Sequence, residues 1–204
     1  MIAIDPSSRS ERDNYKFMTG SIIPRPIAWV TTMSPAGIVN AAPFSYFNIV
    51  TSNPPMISVS VQRKNGAMKD TARNAEALGE FVVQIADEHN VESVNRTAAN
   101  LGPEESEADT FGLALAQSEV VRVPGLADAA VRMECSVERI LTLGGTADTP
   151  ACDLLIGRIV RFHIDERIYD ERGHVDAEGL RPVSRLAGNN YAKLGGTFEL
   201  DRPS

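Results

Sequence analysis

Along residues 56–61, Met-Ile-Ser-Val-Ser-Val, apolar and polar positions alternate. In an extended chain this puts Ile57, Val59 and Val61 on one side and Met56, Ser58 and Ser60 on the other. One face belongs in a core and the other asks for something polar. Residues 27–33, Ile-Ala-Trp-Val-Thr-Thr-Met, read as another strand, and the Ser34-Pro35-Ala36-Gly37 turn after them predicts a hairpin. The extended pattern resumes over 37–50, broken at Pro43, before Asn53-Pro54-Pro55 forces the next turn. The period changes over 69–80, which predicts a short helix with Asp70 or Thr71 as N-cap and Gly79 near its end. A compact apolar strand follows at 81–86. Residues 87–102 predict a second helix, opened by Asp87 and closed by Gly102, with Val91, Val94 and Ala98 on one stripe. The acidic residues 103–112 read as a solvated loop or helix-loop. Two long strand patterns then run over 130–143 and 152–169, with a Gly144-Gly145 turn between them. Residues 1–15 read only as a charged leader. Long alternating strands joined by turns, with few and short helices, predict a mainly β fold: an antiparallel barrel rather than a parallel α/β sheet. No repeat and no linker divides the chain, so residues 1–204 are expected to form a single domain.

Composition narrows the function classes. Of 204 residues, 43% are hydrophobic and 23% charged, which is ordinary for a globular chain able to bury a core. No apolar run approaches the roughly 20 residues of a spanning helix. The first 15 residues lack the layout of a signal peptide, so the cytoplasm is the expected location and no membrane partner is expected. The net charge of −7 argues against a nucleic-acid backbone as partner, though a local basic pocket is compatible with it. Cys135 and Cys152 are too few and too far apart for a disulfide scaffold or zinc site and read as buried reduced thiols. His89, His163 and His174 have no metal-ligand spacing, and Asn95-Arg96-Thr97 reads as polar helix surface. With no G-x-G-x-x-G after a strand, a nicotinamide would not be held in a dinucleotide-binding α/β crevice.

Three clusters carry candidate chemistry. Lys69, Asp70 and Thr71 at a helix N-terminus, with Arg63 and Lys64 just before, could hold a phosphate or simply form a capped helix behind surface charge. In GSIIPRPIAWVTT (20–32), prolines flank Arg25 and hold the segment extended, able to present Arg25 or the backbone of Ile27 to Thr32 to a ligand. Trp29 reads as core or dimer-interface packing more readily than as a ring stacked on a ligand. Residues 181–196 gather Arg185, Asn189, Asn190, Tyr191 and Lys193 between glycines, as a loop or short helix over a site or as a solvated terminus. His163 could face a nicotinamide or point into the barrel.

These stretches in order, GSIIPRPIAWVTT, GIVNAAPFSYFN, SNPPMISVSV, KDTARN and RPVSRLAGNNYAKLG, resemble the flavin reductase-like, FMN-binding split-barrel family, in the branch containing flavoredoxins, from about residue 15 to about residue 197. The resemblance implies a six-stranded antiparallel split β-barrel of Greek-key type, a homodimer, and FMN near the subunit interface. It implies that Thr31, Thr32, Asn40, Ala41, Ala42, Pro43 and Ser45 border the isoalloxazine and ribityl portion, that Ser58 and Ser60 line the ribityl chain, and that Arg63, Lys69, Asp70 and Thr71 hold the phosphate. It also implies a flavin reductase that takes a hydride from NADH or NADPH and passes electrons to free flavin, a metal chelate or a partner protein such as a flavin-dependent monooxygenase. No side-chain acid or nucleophile is required, because the hard chemistry belongs to the cofactor. Two other readings stand beside it: an FMN electron carrier of flavoredoxin type without nicotinamide turnover, and a β-barrel interaction protein that binds no flavin. Arg158 departs from the family pattern, which has an acidic residue after the glycine of that late strand.

Overall fold

The computed structural model describes residues 1–102 and 104–203; Pro103, which heads the acidic stretch, and Ser204 lie outside the described residues. In chain order the elements are α1 (Glu11–Ser21), β1 (Arg25–Pro26), β2 (Ala28–Met33), β3 (Val39–Phe44), β4 (Phe47–Ser52), β5 (Pro55–Gln62), α2 (Asp70–Leu78), β6 (Glu80–Ile85), α3 (Val91–Arg96), α4 (Glu107–Thr110), β7 (Leu115–Ala116), β8 (Gly125–Leu126), β9 (Val131–Gly145), β10 (Pro150–Ile164), α5 (Ala177–Leu180), β11 (Val183–Arg185) and β12 (Tyr191–Lys193), with short 3-10 turns at Pro6–Ser8 and Glu166–Ile168.

The main sheet runs β3-β2-β6-β9-β10-β5-β4, and each of its neighbouring pairs is antiparallel. Its two edge strands are consecutive in the chain. β3 and β4 are joined only through Ser45 and Tyr46, and Ser60 N–H donates to the Tyr46 carbonyl at 2.8 Å. The chain itself therefore bends from one edge of the sheet to the other. β3 and β4 meet at the Ser45-Tyr46 bend, and the main sheet holds seven strands where six were expected. The expected break at Pro43 falls two residues later. Pro43 lies inside β3, opposite Trp29 of β2, and is tolerated because β3 is an edge strand that does not need its missing donor.

The alternation of β5 comes out as read. Ile57, Val59 and Val61 are buried with Val30, Phe44, Phe81, Met133, Cys135 and Leu155 in the barrel core, while Met56, Ser58 and Ser60 are half-buried on the other face. Packing at the barrel centre is close enough to require a glycine. A Cβ on Gly157 would land on the edge of the Phe81 ring and 3.2 Å from Cys135 Cβ, and the β9–β10 register shifts at this point. Trp29 is fully buried in a second cluster with Ile27, Ala41, Val94 and Leu126, and its indole N–H donates to Thr97 Oγ1 at 2.9 Å.

Several expectations need correction. The charged leader contains α1, started by Ser10, whose hydroxyl accepts from Asp13 N–H at 3.1 Å with Glu11 and Asp13 in the first turn. The N-cap of α2 is Lys69, not Asp70 or Thr71, and makes no side-chain capping bond. Gly79 does close α2, in the left-handed conformation at φ 72°. The second helix shrinks to α3, capped at Asn90. Asp87 forms the preceding turn by accepting from His89 and Asn90 N–H at 2.8 and 3.0 Å, and Thr97, not Ala98, completes the buried stripe. β9 extends through Gly144 and Gly145, so the turn falls at 146–149, closed by Thr146 N–H on Thr149 O at 3.1 Å. Residues 181–196 are neither a loose terminus nor a helix: β11 and β12 build a three-stranded sheet with β1. Cys135 is buried, its thiol pushed far up by desolvation, while Cys152 is half-buried. His163 Nε2 meets the buried Glu134 Oε1 at 2.5 Å and so serves the barrel wall.

Candidate functional site

A cleft of about 210 Å³ opens where the barrel is split. Its walls come from four places. α1 supplies Tyr15 and Thr19, the β3–β4 bend supplies Pro43, Phe44, Ser45 and Tyr46, β5 supplies Ser60 and Gln62, and the α2 cap supplies Lys69. The small sheet closes it with Arg25 and Arg185. Apolar surface, hydroxyls and one amide thus share the cleft with three cations, and among the described residues none lining it carries a side-chain carboxylate. In a chain of net charge −7 this is a local reversal of sign.

The residues singled out from the sequence divide into two groups. Arg25, Pro43, Ser45, Ser60, Lys69 and Arg185 reach the cleft. Gln62 Nε2 donates to Ser60 Oγ at 3.0 Å, leaving the Ser60 proton free to turn outward. The others lie behind or beside this wall. Thr31 is buried and its hydroxyl donates to Pro124 O at 2.7 Å. Asn40 sits at the centre of an interior network: its carbonyl oxygen accepts from Thr71 at 2.9 Å and Thr32 at 3.3 Å, while its amide donates to Glu107 Oε2 at 3.0 Å. Ala41 N–H donates to the same Glu107 oxygen at 3.1 Å, and Ala42 packs on the barrel core. Ser58 donates to Asn48 O at 3.4 Å within the β4–β5 ladder. Arg63 is held by Asp153 through Nε at 2.8 Å and Nη2 at 2.6 Å, and Asp70 pairs with Arg73. Because the Thr71 hydroxyl is committed inward, what remains for an anion at the head of α2 is the Lys69 ammonium and the free N–H groups of the first turn.

Sequence reading missed the contributions of two helices, α4 and α1. Glu107 belongs to the acidic stretch read as solvated, yet it is only 5% exposed, and desolvation holds its carboxyl above the usual carboxylate range. Ser106 beside it donates to Val39 O at 2.7 Å, so α4 clamps the edge strand β3 from behind. The Ser106-x-x-Asp109 capping pattern could have flagged the helix, but nothing local marks Glu107 as buried. Tyr15 and Thr19 came with the missed helix α1, whose Ser10-x-x-Asp13 start was legible.

A larger hollow of about 770 Å³ lies between the turn at 87–89, the loop at 127–130 and the segments around Asp165 and Arg181. None of the candidate site residues lines it, and two of its carboxylates are already matched by cations. Glu88 is bridged by Arg181 and Lys193 at 2.7 and 2.6 Å, and Asp165 by Arg167 at 2.5 Å.

The split barrel carries a cationic, hydroxyl-lined cleft at its seam, and comparison with known proteins gives the class. The chain belongs to the flavin reductase like domain family, whose model matches residues 19–179. It is 60% identical to nitrilotriacetate monooxygenase component B from Bacillus cereus, with 98% of each chain covered and a TM-score of 0.96. It is 30% identical to the 2-nitrobenzoate 2-nitroreductase NbaA of Pseudomonas fluorescens, covering 99% of this chain and 96% of that one at a TM-score of 0.88. The flavoredoxin of Desulfovibrio vulgaris (Miyazaki F) shares the fold at 20% identity, with 98% of this chain and 97% of that one covered and a TM-score of 0.76. Among the described residues, no helix is long and apolar enough to cross a membrane.

Proposed function

We propose that this protein is an NAD(P)H-dependent flavin reductase that holds FMN in the seam cleft and delivers electrons to free flavin, a metal chelate or a flavin-dependent monooxygenase. The observation that carries the reading is the lining of the cleft. Pro43 and Phe44 offer apolar surface to a flat ring, Ser45, Ser60 and Gln62 offer hydrogen bonds to its edge and ribityl chain, and Lys69 at the head of α2 offers charge to its phosphate, with no carboxylate to repel it. When bound, FMN supplies the chemistry of accepting a hydride from reduced nicotinamide. The chain's own work is to orient the ring, shield it from water and fix the phosphate. Asn40, Thr32 and Thr71 act one layer back, tying the edge strand β3 to the first turn of α2, so that ring wall and phosphate end keep a fixed spacing. The 60% identical monooxygenase component supports a monooxygenase partner and the nitroreductase supports an oxidoreductase, while the flavoredoxin likeness bears on fold alone.

The protein would act as a homodimer in the cytoplasm. At about 210 Å³ the cleft is smaller than the ~300–1,000 Å³ of pockets that enclose a ligand of this kind. A second surface is therefore needed to cover FMN. Ile49 and Val50 on β4, 76% and 47% exposed, offer apolar surface for such a contact.

The test is the visible spectrum of FMN-loaded, desalted protein under argon, before and after NADH and then NADPH. Retained flavin that bleaches supports the reductase and names the nucleotide. Retained flavin that does not bleach points to a carrier, and a colourless protein overturns the reading.

A further inference from the structure

Arg25 and Arg185 are directly opposed in the β1–β11 register. Opposed residues of neighbouring strands project from the same face, where like charges destabilise the pairing. Both line the seam cleft, and among the described residues no carboxylate side chain lines it with them. Each is nonetheless firmly held. Arg25 is 7% exposed. Its Nη1 donates to the carbonyls of Thr19 and Ile22 at 2.9 and 2.5 Å, and its Nη2 to Leu186 O at 3.0 Å. That leaves its buried Nε–H without a partner, an unmet donor that carries the full desolvation cost of its group. Arg185 donates Nη2 to Gly188 O at 2.6 Å and lies over the Tyr191 ring at 4.5 Å. The Tyr191 hydroxyl is anchored in turn on Asn95 Oδ1 at 3.1 Å. Two guanidinium-bearing residues opposed in register, both lining the cleft and with no carboxylate beside them among the described residues, give that wall a positive charge that an anion can match.

We propose that Arg25 and Arg185 form a second anion subsite, which takes the pyrophosphate of the reduced nicotinamide dinucleotide. The proposal rests on the reading of the cleft as the FMN site. Phosphate groups reach this cleft from two sources, FMN and the dinucleotide. Lys69 and the free N–H groups of α2 already serve one phosphate. The arginine pair stands on a separate sheet built from β1, β11 and β12, while Ser60 and Gln62 belong to β5 of the main sheet. A reductant entering from that side would be gripped by its pyrophosphate while its nicotinamide reaches the flavin. This gives the segment 181–196 a substrate-positioning role.

The variant to make is Arg185→Gln, because Arg25 also holds the end of α1; Arg185→Lys, which keeps charge but loses the planar fork, is its companion. Three quantities are measured: FMN affinity by fluorescence quenching, KM and kcat for NADH and NADPH, and binding of inorganic pyrophosphate to the flavin-free protein by calorimetry. The expected result for Arg185→Gln is a KM raised about tenfold or more, as for the loss of one charge-assisted contact. FMN affinity should change by less than KM, pyrophosphate binding should be lost, and Arg185→Lys should fall between. Unchanged KM with unchanged pyrophosphate binding overturns the proposal. Weakened FMN with unchanged KM also overturns it, assigning the pair to the FMN phosphate, and a variant that dissociates into monomers assigns it to a partner carboxylate. If the wild type retains no FMN, the underlying reading fails separately, and the pyrophosphate titration still decides whether the pair is an anion subsite.

Discussion

Asn40 Nδ2 donates to Glu107 Oε2 at 3.0 Å across 67 residues of sequence, and the carbonyl oxygen of the same amide accepts from Thr71 at 2.9 Å. One side chain thereby joins the edge strand that walls the cleft to the helix that would face the flavin phosphate. Glu107→Ala removes the shared acceptor of the Asn40 amide and Ala41 N–H. It should destabilise the protein by about 1–3 kcal/mol in chemical denaturation, the usual cost of orphaned buried donors. Glu107→Gln keeps an acceptor and should cost less.

The pH dependence of this network has a definite sign. Burial raises the Glu107 carboxyl in the folded protein, so the native state holds a proton that the unfolded chain has already released. The stabilising contribution is therefore complete below the unfolded carboxylate pKa and is lost as pH rises through the folded value. In Glu107→Gln that decline should vanish from a plot of Tm against pH.

Glu134 behaves in the opposite sense. Despite the desolvation of its buried site, the His163 contact and the N–H groups of Glu119, Val121 and Val120 hold its pKa down to about 2 from 4.5. A depressed carboxyl stabilises above its unfolded pKa, and that contribution, about 3 kcal/mol, is lost as pH falls from 4.5 toward about 2. Glu134→Gln should melt lower at neutral pH and show a flatter acid limb, with the loop at 118–123 exchanging its amide protons faster.

Arg63 separates structural from ligand charge. Its two bonds to Asp153, whose side chain is fully buried, make it a counter-ion for the barrel wall. Arg63→Ala should lower Tm on the order of 10 °C, as expected when a buried carboxylate loses its partner. An apolar replacement of both residues should recover much of that loss. A loss of FMN affinity with no change in Tm would instead make Arg63 a phosphate ligand.

Lys69→Ala should weaken FMN by about 1–3 kcal/mol, the range for one charge-assisted hydrogen bond, with Tm unaltered because Lys69 is exposed and makes no capping bond. Fluorescence quenching that gives the wild-type affinity would move the phosphate away from α2.

Gly157→Ala tests the packing of the barrel. The added methyl meets Phe81 and Cys135 at the register shift, and overpacking of this kind costs about 1–3 kcal/mol. Thermal melts of Gly157→Ala alone and with Phe81→Leu should show the second change relieving the first.

What the amino-acid sequence determined by itself is what short-range physics controls. Side-chain alternation set the two faces of β5, because successive residues of an extended chain point to opposite sides. Pro35 and Gly37 set the β2–β3 hairpin, and Gly79 stopped α2 because only glycine takes its positive φ at little cost. The ordered motifs were enough to place the chain in its family. The tertiary structure decided which polar groups remain free. Arg63 meets Asp153, Asn40 meets Glu107, and residues 183–193 return to pair with Arg25, all through contacts between distant segments that leave no local periodicity. A hydroxyl or guanidinium in a sequence has equal claims to a ligand and to a neighbour. Only the folded chain shows that Thr71 has spent its proton on Asn40, while Arg25 still holds an N–H with no acceptor.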